Sequence, residues 1–331
     1  MRRKEAQIVY VIVAFLFAFV SPIALEGRTC RGRPLWPPVE PLGTKRAATE
    51  GRPYSYFYDI SQKNARKVLQ TMLGWSLPGD AVHINSIRSS GESVEVSADI
   101  QTVFRLRLSE GQWQLREIRT APDRWDRLEV IARAVGTELP SGECDAPSQF
   151  ARGKYATELT TKRARCLVAS LFGVALPSDD VRIKETSPFG LSMGSESAAL
   201  VVAFVRADFR LARDAKGWHV AEFKSGNRDW VNVADLATAI DQAKRSAATE
   251  ELSTIARALG DYRRERGSFV VSDSESVLID HLSPHYLPRV IRVDPWHRPY
   301  RYEGQPDRYS LRSLGPDGKP NTEDDIVVSG P

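Results

Sequence analysis

The chain repeats itself, and a fold assigned without noticing the repeat would be wrong throughout. Ala65-Arg66 recurs as Ala164-Arg165, Gly74 as Gly173, Leu77-Pro78 as Leu176-Pro177 and Val82-x-Ile84 as Val181-x-Ile183, all at one offset, since 164 minus 65 is 99. Further on, Phe104-Arg105-Leu106 matches Phe209-Arg210-Leu211, Trp113 matches Trp218, Glu117 matches Glu222 and Trp125 matches Trp230; the offset is now 209 minus 104, or 105. The second copy therefore carries six extra residues between Ser187 and Ser197, a Gly/Ser-rich stretch where a surface loop accepts an insertion.

Each copy predicts the same elements. Val68, Leu69, Met72 and Leu73 fall on one helical face, as do Leu167, Val168, Leu171 and Phe172, and Leu-Pro then ends the helix. Val82 to Ile87, Val94 to Ala98, Ile100 to Leu108 and Trp113 to Ile118 alternate as antiparallel strands, with Glu110-Gly111 and Lys216-Gly217 as hairpin turns. A closing helix is expected to start near Asp123, carrying Trp125, Leu128, Ile131 and Val135, or near Asn227, carrying Trp230, Val233, Leu236 and Ile240. The module is α+β, a small antiparallel sheet with flanking helices.

Trp113, Trp218, Trp125 and Trp230 could line a ligand site, but apolar spacing in both copies favours core. Glu117 and Glu222 could act as paired acids, yet they lie in different copies without a partner pattern, which favours a strand face or a local ion pair. Two copies of a fold with no catalytic signature point to a binding surface. No catalytic triad, phosphate-binding Gly loop or Cys-x-x-Cys is present, so a non-enzymatic protein is expected; a hydrolase would need a cleft lined by Glu117 and Glu222.

At 331 residues and 42% apolar composition the chain can bury cores of two or three domains. Its net charge of +4 comes from interspersed Arg and acids; without a clustered basic stripe, nucleic-acid binding is not expected. Arg2, Arg3 and Lys4 precede the apolar run Ile8 to Val20, an export signal that places the remainder outside the cytoplasm. No small-x-small cleavage site follows, so an uncleaved inner-membrane anchor is favoured over a removed signal peptide. Arg31 to Pro53, with five prolines, reads as a stiff spacer. Cys30, Cys144 and Cys166 allow one disulfide, of which Cys144 to Cys166 is the shortest closure, though pairing does not follow from sequence.

Asn232 to Arg264 shows a long helical pattern. Beyond it, Tyr300 to Tyr302 and Tyr309 to Leu314 alternate as a β-hairpin around Gly304-Gln305-Pro306, running into a polar loop that gathers Asp317, Asp324 and Asp325 with Asn321, Thr322 and Glu323. An all-oxygen set suits a hard cation, and Ca2+ tolerates such irregular mixtures, although the spacing is not that of an EF-hand; a solvated acidic turn is the plainer alternative. His281 and His285 stand four apart, a zinc spacing on a helix, but Pro284 intervenes and no third ligand is apparent; His83, His219 and His297 stand alone.

Asp294-Pro295-Trp296, Pro299-Tyr300-x-Tyr302, Tyr309-Ser310-Leu311 and Ser313-Leu314-Gly315-x-Asp317-Gly318, followed by Glu323-Asp324-Asp325-Ile326, resemble the C-terminal domain of the major (G-type) pseudopilin of type II secretion systems. Ile255 to Phe269 is similar to the end of that family's anchor helix, with Val270 where the family has Pro, so the resemblance runs from about Ala247 to Ile326. The resemblance implies a Ca2+ site with carboxylates from Asp317, Asp324 and Asp325 and the carbonyl of Leu314, the carbonyls of Lys319 and Thr322 being further candidates. The N-terminus departs from the family's pattern: no Gly precedes the apolar run, and Glu5 lies before it, which argues against processing and polymerisation as a pseudopilin.

The expected organisation is a signal anchor or signal peptide at 1–26, a linker at 27–54, α+β repeats at 55–137 and 148–242, and a pseudopilin-like domain of helix and small antiparallel sheet at 243–331. The expected function is a calcium-binding structural or docking component of a type II secretion-like or pilus-like apparatus. It would be held in the inner membrane by its N-terminal helix, its bulk periplasmic or extracytoplasmic, in contact with other envelope or secretion proteins. The alternative is an extracytoplasmic binding protein whose modules take a peptide, glycan or envelope partner.

Overall fold

The computed structural model describes residues 60–72, 79–90, 93–136, 139–140, 144, 158–174, 176, 178–189, 197–226 and 228–331. The predicted N-terminal anchor, the proline-rich spacer and Cys30 lie outside these residues. Among the described residues no helix is long and apolar enough to cross a membrane.

The first run is α1 (Gln62–Met72), β1 (Val82–Ser90), β2 (Ser93–Ser109), β3 (Gln112–Ala121), β4 (Arg124–Arg127) and α2 (Leu128–Ala134). The second follows the same order: α3 (Thr161–Phe172), β5 (Val181–Phe189), β6 (Ala198–Asp214), β7 (Gly217–Lys224), β8 (Val231–Asn232) and α4 (Val233–Arg266). These do not form two sheets. β2 and β6 pair antiparallel from Val94↔Leu211 to Arg107↔Ala198, joining all eight strands into one sheet around one core. Each central strand would otherwise expose a long unpaired edge, and pairing the two removes both. Within that register Ile100 faces Val205, which are also related by the sequence offset, since 205 minus 100 is 105. The irregularities match as well: a bulge after Ile84 on β1 and after Ile183 on β5, and another at Arg116 on β3, opposite Arg105, and at Ala221 on β7, opposite Arg210.

Two expectations need correction. The strands expected at Val94 to Ala98 and Ile100 to Leu108 are one 17-residue strand. Its even positions are buried without a break from Val94 to Leu106, so Asp99 stays in phase on the opposite face. There it is held by Asn85 Nδ2, Arg206 Nε and Arg182 Nη2; burial raises its pKa, but the hydrogen bonds from Arg206 and Asn85 and the charges of Arg206 and Arg182 outweigh it and lower the pKa. The closing helices also begin later than expected. Trp125 lies on β4, paired with Arg119, and Trp230 just precedes β8, because each segment first returns as a short strand against its hairpin partner.

Helices cover one face of the sheet. α1 packs on β1 and also on β7 of the other run, α2 on β3, and α3 on β5. α3 is capped at its start by Thr160, whose hydroxyl accepts from Arg163 N at 3.2 Å. It ends at Gly173, in the left-handed region at φ 63°. Cys144 and Cys166 form a disulfide, with Cα atoms 5.6 Å apart, that ties the inter-run segment to α3.

α4 holds the molecule together. At 34 residues it is about 51 Å long. Asn232 Oδ1 caps it, accepting from Ala234 N and Asp235 N, and Gly267 ends it at φ 82°. Leu236 and Ile240 near its start are buried in the core of the large sheet, while Leu252, Ile255, Ala258 and Leu259 belong to a second core. Between them Ala243 and Ala247 pack on Val130 of α2. The second core is completed by α5 (Glu275–Leu282) and by a three-stranded antiparallel sheet, β9 (Arg301–Gly304), β10 (Tyr309–Ser313) and β11 (Ile326–Gly330), in the order β11-β10-β9. The register pairs Tyr302 with Leu311, and both are buried.

Candidate functional site

The polar loop between β10 and β11 is held from outside by two side chains. Asp294, 2% exposed, accepts from Trp296 N and Arg298 N on one oxygen and from the Ser313 hydroxyl on the other at 2.6 Å, which joins the Asp-Pro-Trp turn to the end of β10. Arg298 then donates to the carbonyls of Gly315 and Pro316. Gly315 at φ 58° needs its lack of a Cβ: an added carbon would fall 2.4 Å from the Asp324 carbonyl oxygen.

Within the loop, Gly318 N donates to the Leu314 carbonyl at 3.1 Å. Asp317 and Asp324 are brought together. Asp317 N donates to Asp324 Oδ2 at 3.0 Å, and the Thr322 hydroxyl donates to Asp324 Oδ1 at 2.6 Å while lying 3.4 Å from Asp317 Oδ1. Burial raises the Asp324 pKa, but these hydrogen bonds outweigh it and the carboxyl titrates below its ordinary value. Asp325 is turned differently. Its Oδ2 accepts from Asn321 N at 2.8 Å and lies 3.2 Å from Arg312 Nη1, whereas its Oδ1 is buried with no hydrogen-bond partner. Among the described residues no group of three or more His, Cys, Asp or Glu side chains is gathered as a metal cluster.

Residues 235–329 match the family model described as type II secretion system (T2SS), protein G. The match takes in nearly all of α4, α5 and the three-stranded sheet, so the C-terminal domain is pseudopilin-like and its helix is also the last helix of the second run. No curated protein and no solved structure matches the chain.

The pseudopilin-like domain is fastened to the first run by contacts that sequence reasoning missed. Lys244 on α4 and His297 both reach Asp126 on β4, at 3.3 and 2.6 Å, with Asp126 and Lys244 nearly inaccessible. Burial pushes the Asp126 carboxyl up, but the Lys244 charge and the His297 hydrogen bond outweigh it and hold the pKa at about 2. Alongside, Glu251 takes Arg127 Nη1 at 2.5 Å and the Tyr300 hydroxyl at 2.6 Å, and Arg245 Nη1 donates to the Asp324 carbonyl at 3.3 Å. His297 stands alone in the sequence; its partner lies 171 positions away, so nothing local announces the pair.

Glu117 and Glu222 do not meet. Each pairs with the Arg of its own run, Arg105 at 2.5 Å and Arg210 at 2.9 Å, and each Arg lies over the matching indole, Trp125 at 4.1 Å and Trp230 at 3.9 Å. The recurrence of these residues is thus accounted for by two corresponding ion-pair stacks, of which the second also reaches Glu95, 3.1 Å from Arg210 Nε. His281 and His285 form no zinc pair: His281 packs edge-on to Tyr262, while His285 lies beyond the helix against Tyr286 and 3.6 Å from Glu265.

Proposed function

We propose that this chain is a structural docking component of a type II secretion-like apparatus in the cell envelope, anchored by its N-terminal apolar run, with a Ca2+ ion bound in the loop of its pseudopilin-like domain. The family match over residues 235–329 carries the secretion reading. In it the α4 helix, which in a pseudopilin would continue toward a membrane segment, is capped by Asn232 and rooted in the large sheet. The duplicated modules thus replace the membrane stalk and present the domain at a distance from the bilayer.

The loop's chemistry fits the ion. Its donors are all oxygen, as Ca2+ requires, and the buried, unpartnered Oδ1 of Asp325 is an oxygen that costs free energy unless something positive meets it. Asp317, Asp324 and Asp325 would supply carboxylates and Leu314 a carbonyl. The ion would neutralise acids that repel one another and so hold the β10–β11 connection closed.

The secretion reading is tested in the producing cell. A photo-crosslinking residue at the exposed Val327 of β11 should capture other secretion or pilus components. A deletion strain that exports every secreted enzyme at the parental level, with no such crosslink, would dispose of it.

A further inference from the structure

Beside the junction of the two parts lies a cavity of about 440 Å3 whose walls are arginine-rich. Arg105 and Arg107 come from β2, Arg116 from β3, Arg127 from β4, and Arg289 from the pseudopilin-like domain, against only two carboxylates, Glu117 and Glu129. Glu117 is engaged by Arg105, and Arg127 is held by Glu251 at 2.5 Å, with the half-exposed Glu129 3.7 Å away. Arg116 and Arg289 make no ion pair among the described residues. With Glu251 behind Arg127 included, five positive charges stand against three negative ones, on the face of the sheet that the helices leave uncovered.

The second run is an internal control for what the scaffold needs. At the 105-residue offset Arg105 and Glu117 reappear as Arg210 and Glu222 in the same ion pair. Arg107, Arg116, Arg127 and Glu129 become Ala212, Ala221, Asn232 and Ala234. The same strands, bulges and stack thus form without three of the five arginines, so folding does not require them. The bulge opposite Arg105 adds to the effect: with Leu115 and Ile118 both buried, Arg116 and Glu117 both turn outward.

The arrangement also limits the ligand. Arg105 and Arg107 are two residues apart on one strand, roughly 7 Å, and β2 to β4 spans about 10 Å at the ordinary strand spacing. Guanidinium groups borne by three strands and by the pseudopilin-like domain suit an extended chain better than one small anion, because each can take its own carboxylate bidentately. We propose that this cleft docks an acidic polypeptide segment of a partner protein, with Arg289 of the pseudopilin-like domain completing the site.

The test uses the full chain in zwitterionic detergent and a dye-labelled (Glu-Gly)4 peptide followed by fluorescence anisotropy, with (Gln-Gly)4 as the neutral control. The acidic peptide should bind, and raising salt from about 0.05 to 0.5 M should weaken it. Arg107→Glu combined with Arg116→Glu should weaken it about tenfold or more, with Arg289→Glu smaller in the same direction and Lys162→Glu, exposed on α3, without effect. Arg107 and Arg116 are exposed, so an unchanged melting curve verifies folding of the double variant. No binding, equal binding of the two peptides, or equal binding by the double variant would overturn the proposal. So would full displacement of the peptide by about 1 mM inorganic phosphate, which marks a small-anion site instead.

Discussion

His297 Nε2 lies 2.6 Å from a carboxylate oxygen of Asp126, joining the loop after α5 to the outermost strand of the first run across 171 positions of sequence. Lys244 completes the contact from α4, so three separate elements share one buried carboxylate. The junction is a fixed part of the fold, continuous with the packing of Ala243 and Ala247 on Val130.

Removing that carboxylate leaves the Lys244 ammonium buried without its counter-ion. Asp126→Ala should cost about 3 to 5 kcal/mol in urea unfolding followed by tryptophan fluorescence. A loss under about 1 kcal/mol would show that solvent reaches Lys244 freely.

The same group sets an acid limit. Asp126 titrates at about 2 in the folded chain against an ordinary 3.8, a depressed value. Its contribution is therefore complete above about pH 4 and is lost as pH falls toward 2. It amounts to about 2 kcal/mol at 1.36 kcal/mol per unit. Chemical unfolding at pH 5 and pH 2.5 should show this difference in the parent and much less of it in Asp126→Ala.

Calcium should bind the folded loop alone and so raise the melting temperature in proportion to the logarithm of free ion. Chelation, or Asp324→Ala, should lower it and increase protease cleavage near Leu314. Identical melting in millimolar calcium and in chelator would remove the ion from the proposal.

Reducing the Cys144–Cys166 bridge, whose ends are 22 positions apart, should destabilise the large sheet's domain by about 3 kcal/mol through the unfolded state's regained freedom. Cys166→Ser should reproduce the loss, and reductant should then have no further effect on that variant.

The two stacks predict unequal penalties. Arg105→Ala removes a part-exposed ion pair with Glu117 and a cation–π contact, worth together about 1 to 2 kcal/mol. Arg210→Ala removes the corresponding pair and contact and also the Arg210–Glu95 pair at 3.1 Å, which adds up to about 1 kcal/mol. A larger loss for Arg105→Ala than for Arg210→Ala in urea unfolding would mean that the neighbouring arginines of the first run alter its stack.

Alternation, helical spacing and turn chemistry are local, and they were enough to place most of the elements. The Glu110-Gly111 turn shows it, with both residues at positive φ, as do the buried Leu167, Val168, Leu171 and Phe172 of α3 and the Tyr302–Leu311 pairing of the last hairpin. The oxygen-rich loop was legible for the same reason, since Asp317, Asp324 and the turn glycines lie within a dozen residues. Trp125 and Trp230 were misplaced onto helices because apolar spacing over so few residues fits both periods, and only pairing with a neighbouring strand decides between them.

The amino-acid order by itself determined the offset that relates the two runs, the turns and caps, and the gathering of acids near the chain's end, because each depends on residues close in sequence. Only the tertiary structure decided that β2 and β6 merge both runs into one sheet, that α4 serves two cores, and that Asp126 meets Lys244 and His297. Those outcomes depend on which edges and charges are left unsatisfied once the local elements exist, and such groups find partners across distances that no local pattern records.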